Sequence, residues 1–559
     1  MTDPRSTVDD LAHRFWEGIL ELNPTTATFY GDERYADRLE DPSPVGRAKT
    51  RDLMSRTATE AAAIPIEGLS TEERITRDML QVIGELAIEE DDQGLYQLRV
   101  VDQMSGPQQL LPQLTAFQPV DTPARLEAFI GRLHAYPAFM AANADILREA
   151  LGTGLTAPAI VTGRVIAQLE RMLAIPIDGA IIPGSVQGAS DADRERIRSI
   201  VRDVVYPADA AFLEMLRGEY RHASREEPGI WSAPNGDAIY RTAIRSWTTL
   251  EMDPEEIHRI GLEALAAIDD ERREIAGTAG FGDDMTAYRA SLDSMPANTP
   301  GTKAELVERA REDIDRAMAA APAYFGVLPK AGLEVRPVEE YKEKDAPFAY
   351  YYPPAADASR DGIYYANGYD LPSRKYSKLA STTYHEAAPG HHFQIALEME
   401  NPNLNTFRRL GARMVGGAYV EGWGLYSERL ADEMGLYRSE AERFGMLDGQ
   451  AWRAARLVVD TGLHALRWQR QRSIDFLRDD AGLSETDAVI ETDRYICWPG
   501  QALTYMLGQR QIQALRRELT ARDGSRFDLR GFHDQVLGHG SLPLATLARE
   551  LPTWVAEPV

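Results

Sequence analysis

The sequence predicts a large, mainly α-helical body with one small β-sheet beside a metal-containing cleft, and three observations carry that prediction. Apolar residues recur every three or four positions over most of the 559 residues, the spacing of a single buried helix face. Between 333 and 367 the texture changes to short β-prone runs separated by Pro and Asp. Directly after that interval, three of the ten histidines, His385, His391 and His392, fall within eight residues.

Val8, Leu11, Phe15, Ile19 and Leu22 form the first helical stripe, with Pro24 after it. The same spacing predicts helices over roughly 44–62, 71–90, 124–150, 156–173, 190–221, 253–277 and 303–322, bounded by Gly, Pro, Asp or Ser. Leu333 to Val335, Phe348 to Tyr352 and Gly362 to Ala366 read as the strands. Helical patterning then resumes through the histidine segment, over 404–434 and 438–479, and again after Pro499-Gly500. A helical part over 1–245 and a catalytic part over 246–559 are expected to form one continuous unit, with Asp283 to Thr302 as an exposed loop between lobes. The tyrosine run in the sheet reads first as packing, although an edge strand beside a cleft pairs well with a peptide main chain.

Composition narrows the partners. The balance of 61 Lys and Arg against 87 Asp and Glu gives a net charge of -26, which argues against nucleic acid and anionic membrane surfaces. A single cysteine, Cys497, excludes an intrachain disulfide framework and fits a reducing compartment. The start of the chain has no charged-then-apolar leader pattern and no window reaches the length of a membrane span, so a cytoplasmic location is expected.

The chemistry concentrates in His385-Glu386-Ala387-Ala388-Pro389-Gly390-His391-His392. A His followed at once by Glu is how the HExxH zinc motif begins, but the fifth position here is Pro389. On an unbroken helix His391 would sit on the wrong face, and His392 would sit about 10.5 Å too far along. Pro389 lacks an amide hydrogen and its ring collides with the carbonyl of His385, so the helix should bulge or kink at Pro389-Gly390. If the bulge absorbs two residues, His391 returns to the place of the second motif histidine and is preferred as ligand over His392. In that case His392 faces substrate or supports the ligands. On the competing view Pro-Gly simply ends a helix and the histidines are structural.

Two histidines and a carboxylate are a common catalytic zinc set. Glu421, 30 residues after His391, is the candidate carboxylate, on a predicted helix whose glycines permit close backbone approach. The expected cofactor is one Zn2+ per chain. Glu386 is then the general base.

The motifs HExxPGHH at His385 to His392, EGWxLYxE at Glu421 to Glu428 and PGQAxxY at Pro499 to Tyr505 resemble the bacterial family catalogued as domain of unknown function 885. That family is regarded as one of zinc metallopeptidases related to the helical gluzincin enzymes, so the resemblance implies a gluzincin-like fold. The Glu421 segment also looks like the NEGFAxYxE stretch that supplies the third zinc ligand in gluzincin aminopeptidases. The resemblance implies that the Pro499 segment lines the cleft, which makes Tyr505 the candidate donor to an oxyanion, with Tyr495 as alternative.

On the preceding long helix Arg456, Asp460 and His464 share a face. Asp460 is read as orienting a metal-bound imidazole and His464 as meeting substrate, against the alternative of an ordinary helix ion pair. The leading expectation is hydrolysis of short peptides, of carboxypeptidase or oligopeptidase type. Zinc hydrolysis of esters, lactones or other amides is the alternative chemistry, and a non-catalytic metal-binding protein the alternative class. A peptide or small-molecule substrate is the expected partner, and the sequence carries no signal of oligomeric state.

Overall fold

Helices of this chain begin and end where their termini find partners. The computed structural model describes residues 4–186, 188–339, 343, 346–355 and 360–554. In the N-terminal half, α1 (Pro4–Leu22), α2 (Pro44–Ala63) and α3 (Thr71–Asp92) pack together. Ser70 and Glu73 cap α3 reciprocally, each side chain taking the other's backbone N–H. The 31-residue α4 (Pro123–Thr153) starts on the Thr122 side chain and stops at Gly154, whose φ of 76° suits glycine. The 16-residue α5 (Ala159–Ala174), the 25-residue α6 (Pro254–Thr278) and the 18-residue α7 (Lys303–Ala320) follow.

The sheet has three strands, β1 (Leu333–Pro337), β2 (Ala349–Tyr352) and β3 (Gly362–Ala366), in the order β1-β3-β2. β3 runs parallel to β1 and antiparallel to β2. All five β3 residues are buried, as a central strand requires, which leaves β1 and β2 as edges. Tyr350, Tyr352 and Tyr365 pack ring against ring.

After the sheet come α8 (Tyr376–Glu386), α9 (His391–Glu400), α10 (Gly417–Glu433), α11 (Glu440–His464), α12 (Glu485–Cys497) and α13 (Thr504–Asp523). Two large hydrophobic cores meet along α11. Phe444, Leu447, Ala451 and Leu457 belong to the first, and Ala455, Val458, Val459 and Leu463 to the second. Each core draws residues from both sides of position 245. α6 and α8 pack on α11, and α10 packs on α13, so the regular spacing of apolar residues along α11 makes it the spine on which the site is mounted.

Three predicted spans differ from the structure. The 404–434 helix is broken at Val415-Gly416, where α10 starts afresh. The 438–479 helix ends at His464, and Arg467 takes a left-handed φ of 58° before a second helix, Arg470–Asp479. The stretch from Asp283 to Thr302 is not a bare loop, because Met285–Ser294 is helical and buries Tyr288 and Leu292. Helical periodicity is blind to such breaks, since the apolar register survives a short interruption. No helix among the described residues is long and apolar enough to cross a membrane.

Candidate metal centre

The helix carrying His385 does not bulge at Pro389. It stops. α8 ends at Glu386, Ala387 and Gly390 leave helical geometry, and α9 starts at His391; the Ala388–Pro389 peptide is cis. The turn is closed by the His392 amide donating to Ala387 O at 3.0 Å and by Trp423 Nε1 of α10 donating to Pro389 O at 3.0 Å. A Cβ on Gly390 would lie 1.9 Å from the carbonyl oxygen of His385, so the turn admits only glycine. Gly390→Ala is expected to destabilise the protein by about 1–3 kcal/mol through forced backbone displacement, measured by denaturant unfolding, and to displace His391 from the site.

The break achieves what a bulge was expected to achieve. The imidazoles of His385 and His391 face each other edge-on with centroids 4.7 Å apart. Glu421 Oε2, from the second turn of α10, lies 3.4 Å from His385 Nε2 and 3.7 Å from His391 Nε2. A Glu386 carboxylate oxygen and one ring nitrogen from each of these histidines lie within 4.8 Å of one another. Two imidazoles and two carboxylates therefore converge, with Glu421 identified as the nearer carboxylate by its two short contacts. Gly424 makes room for them, since a Cβ there would lie 2.7 Å from His385 Nε2.

Charge in the cluster is partitioned by these contacts. Burial opposes a charge on Glu421, yet its close contacts with His385 and His391 hold its carboxyl well below the usual range. Burial likewise opposes a proton on His385, but the neighbouring Glu421 and the ring's hydrogen bond to Glu428 push its pKa up to about 10. Glu386 goes the other way, because burial raises its pKa against the pull of His391 and His385.

His385 is oriented by Glu428, the last residue of the EGWxLYxE motif. Glu428 Oε1 accepts from His385 Nδ1 at 2.8 Å, and its other oxygen accepts from Ser381 Oγ at 2.9 Å and Gln450 Nε2 at 3.2 Å. This carboxylate fixes the ring so that Nε2 faces Glu421. The signal was available: Glu428 is seven residues beyond Glu421, two helical turns along the same face. Glu428→Gln is expected to weaken metal binding about 10–100-fold, measured by competition with a chromogenic chelator.

The remaining candidates divide into near and far. His392 points to the sheet, its Nδ1 3.0 Å from the Tyr351 hydroxyl on β2; burial pushes its pKa down to about 4. The Tyr505 ring stacks beside His385 at 6.4 Å between centroids, so Tyr505 borders the cluster. Tyr495 stands behind it, its hydroxyl accepting from Arg456 Nε at 2.9 Å and Trp452 Nε1 at 3.1 Å.

Asp460 and His464 take parts other than the expected ones. Asp460 accepts from the Tyr240 hydroxyl at 2.6 Å and the Gly500 amide at 3.1 Å, which ties α11 to the turn before α13; the imidazole-orienting place belongs to Glu428. His464 is fully buried, with Nδ1 accepting from Ile230 N and Nε2 donating to Tyr495 O. Burial pushes its pKa down to about 3, so it is a neutral core histidine. Arg456 pairs with Glu491 at 3.2 Å and not with Asp460, so the ion pair along α11 is absent as well.

Concavities of about 500 and 390 Å³, lined in part by Arg164 and Gln168 and by Met54 and Tyr96, contain none of the clustered residues. The convergence of donors marks the site.

Residues 24–551 match the family described as "Bacterial protein of unknown function (DUF885)", and the chain belongs to that family. No curated protein matches the sequence. Among solved structures, one described as "the putative lipoprotein from Colwellia psychrerythraea" superposes with a TM-score of 0.92 at 27% identity, covering 99% of this chain and 100% of its own. A "putative lipoprotein of unknown function from Shewanella oneidensis" gives a TM-score of 0.72 at 18% identity, covering 96% of this chain and 98% of its own. The second likeness is one of fold alone.

Proposed function

We propose that this member of the DUF885 family is a zinc-dependent hydrolase of short peptides, with a gluzincin-like metal cleft. The observation that carries the reading is the meeting of His385 Nε2, His391 Nε2 and Glu421 Oε2, with the carboxylate oxygen 3.4 and 3.7 Å from the two nitrogens. Donors bound at 2.0–2.1 Å to one tetrahedral ion lie about 3.4 Å apart, close to the two contacts that Glu421 makes with the imidazoles. His385, His391 and Glu421 would hold the metal. A zinc ion supplies a polarised carbonyl and a water acidified to a pKa of about 7.

The chain supplies the rest. Glu386 stands within the cluster but farther from the imidazoles than Glu421, and its carboxyl is raised by burial. It accepts the proton of the attacking water and delivers it to the leaving nitrogen. Tyr505, stacked beside His385, is the donor to the developing oxyanion. Fixing His385 through Glu428 keeps the ligand tautomer constant through the reaction.

A peptide is favoured over an ester by the sheet. β2 is an edge strand, and Tyr351 at its third position is tied to His392, the neighbour of His391. An extended substrate main chain pairs with such an edge. The test is cleavage of a peptide library and of an ester and lactone panel at matched concentrations, with and without a chelator. Peptide cleavage that disappears with chelator and returns with zinc is the expected result. Ester or lactone turnover without peptide cleavage would reassign the substrate. No turnover and no bound metal after zinc is supplied would end the hydrolase reading.

A further inference from the structure

Beside the candidate metal centre two arginines share one carboxylate and a third, Arg453, stands one helical turn away. Arg456 and Arg494 both approach Glu491, at 3.2 and 3.5 Å. Arg456 is 2% exposed, and its Nη1 is buried without a hydrogen-bond partner. Its guanidinium lies 4.4 Å from the centre of the Tyr505 ring, the ring that stacks beside His385.

Arg453, one turn earlier on α11, lies 5.9 Å from the same ring centre. Its Nη1 reaches the Gly449 carbonyl at 3.4 Å, and its Nε is buried without a partner. Among the described residues it forms no ion pair. Glu386 and Glu428 both feel its charge but stand outside pairing distance. Arg453 and Arg494 are only partly buried, unlike Arg456, but Arg494 is engaged by Glu491 and by Gln501 Oε1, so Arg453 is the member of the group left for a ligand.

An arginine excess needs explaining in a chain of net charge -26. Guanidinium groups left short of carboxylates in a desolvated place are costly unless an anion completes them. The planar fork of arginine matches a carboxylate with two parallel hydrogen bonds. The Tyr505 ring lies between the cluster and the metal centre, its centre 5.9 Å from the Arg453 guanidinium and 6.4 Å from the centre of the His385 imidazole.

We propose that Arg453, backed by Arg456 and Arg494, is the binding site for the free C-terminal carboxylate of a peptide whose last peptide bond lies at the metal centre. The site selects carboxypeptidase action over internal cleavage. The proposal rests on the peptide-hydrolase reading for the identity of the scissile bond, and its test separates the two.

The experiment is calorimetric binding to the full-length Glu386→Gln protein loaded with zinc, using an N-acetyl tripeptide acid, its C-terminal amide, and an amide carrying glutamate as last residue. The acid is expected to bind about 10–100-fold more tightly than the plain amide, the span of a charge-assisted hydrogen bond. Adding Arg453→Met is expected to bring that ratio close to one, and Arg453→Lys to restore part of it. In wild type, mass spectrometry of the products is expected to show release of the C-terminal residue from the acid.

Equal binding of acid and amide, a ratio unchanged in Arg453→Met, or no binding of either would overturn the proposal. So would binding of the glutamate amide as tight as that of the acid, which would assign the cluster to a side chain. An acid preference that depends on Arg453 in a protein whose wild type cleaves nothing would leave the carboxylate site standing and remove the hydrolase reading.

Discussion

Glu386→Gln is expected to fold, to retain its zinc, and to lose about 10²–10⁴-fold in kcat on the best peptide substrate. The substitution keeps the shape of the side chain and removes its capacity to take a proton. Two observations set the expectation apart from a general loss of function. Glu386 closes α8 at the lip of the turn, so its side chain carries no helix interior. Glu421 and not Glu386 makes the two short contacts to the imidazoles, so the donor set survives the change. The measurement pairs steady-state kinetics with metal content by mass spectrometry on the same preparation. Retained activity would mean that another group moves the proton. Zinc lost together with activity would make Glu386 a ligand, since its carboxylate stands within 4.8 Å of a ring nitrogen of both His385 and His391, and the assignment of Glu421 would have to be revised.

Much of this arrangement is legible in the sequence, because the chemistry is local and the core is periodic. The β3 segment, Gly362–Ala366, is found where a β-prone run was expected, and α3 begins at Thr71, where the apolar spacing predicted its start. The family resemblance over three short motifs agrees with the match over residues 24–551. What the sequence hides is relational. Helical spacing shows that Asp460 and His464 share a face, but not that Tyr240, Ile230 and the Gly500 amide meet them there. The orienting carboxylate of His385 was sought on α11 and lies on α10, because the choice between two polar faces is made by packing across 43 residues of chain. A proline and a glycine announce a change of direction at 389–390, whereas a bulge and a full break both bring His391 toward His385, so the pattern alone does not select between them.

Metal content is expected to separate the two adjacent histidines. His391→Ala and Glu421→Ala are each expected to purify without zinc, while His392→Ala keeps it. The argument is one of direction. The break after Glu386 starts α9 at His391, and consecutive residues on a helix point about 100° apart, so the two imidazoles face different partners. His391 Nε2 looks toward Glu421; the His392 ring meets Tyr351 of the sheet, with burial favouring its neutral form. Removing His391 or Glu421 takes one of three donors from a site in which each holds a large share of the affinity. Removing His392 instead leaves the Tyr351 hydroxyl unpaired and a void under β2, a cost of about 1–3 kcal/mol in stability with the donors untouched. Unfolding curves taken beside the metal measurements make the two effects distinguishable. A His392→Ala protein that is folded and metal-free would transfer the ligand role to His392. Zinc retained in Glu421→Ala at full stoichiometry would move the third donor to Glu386 and with it the whole division of labour between the two carboxylates.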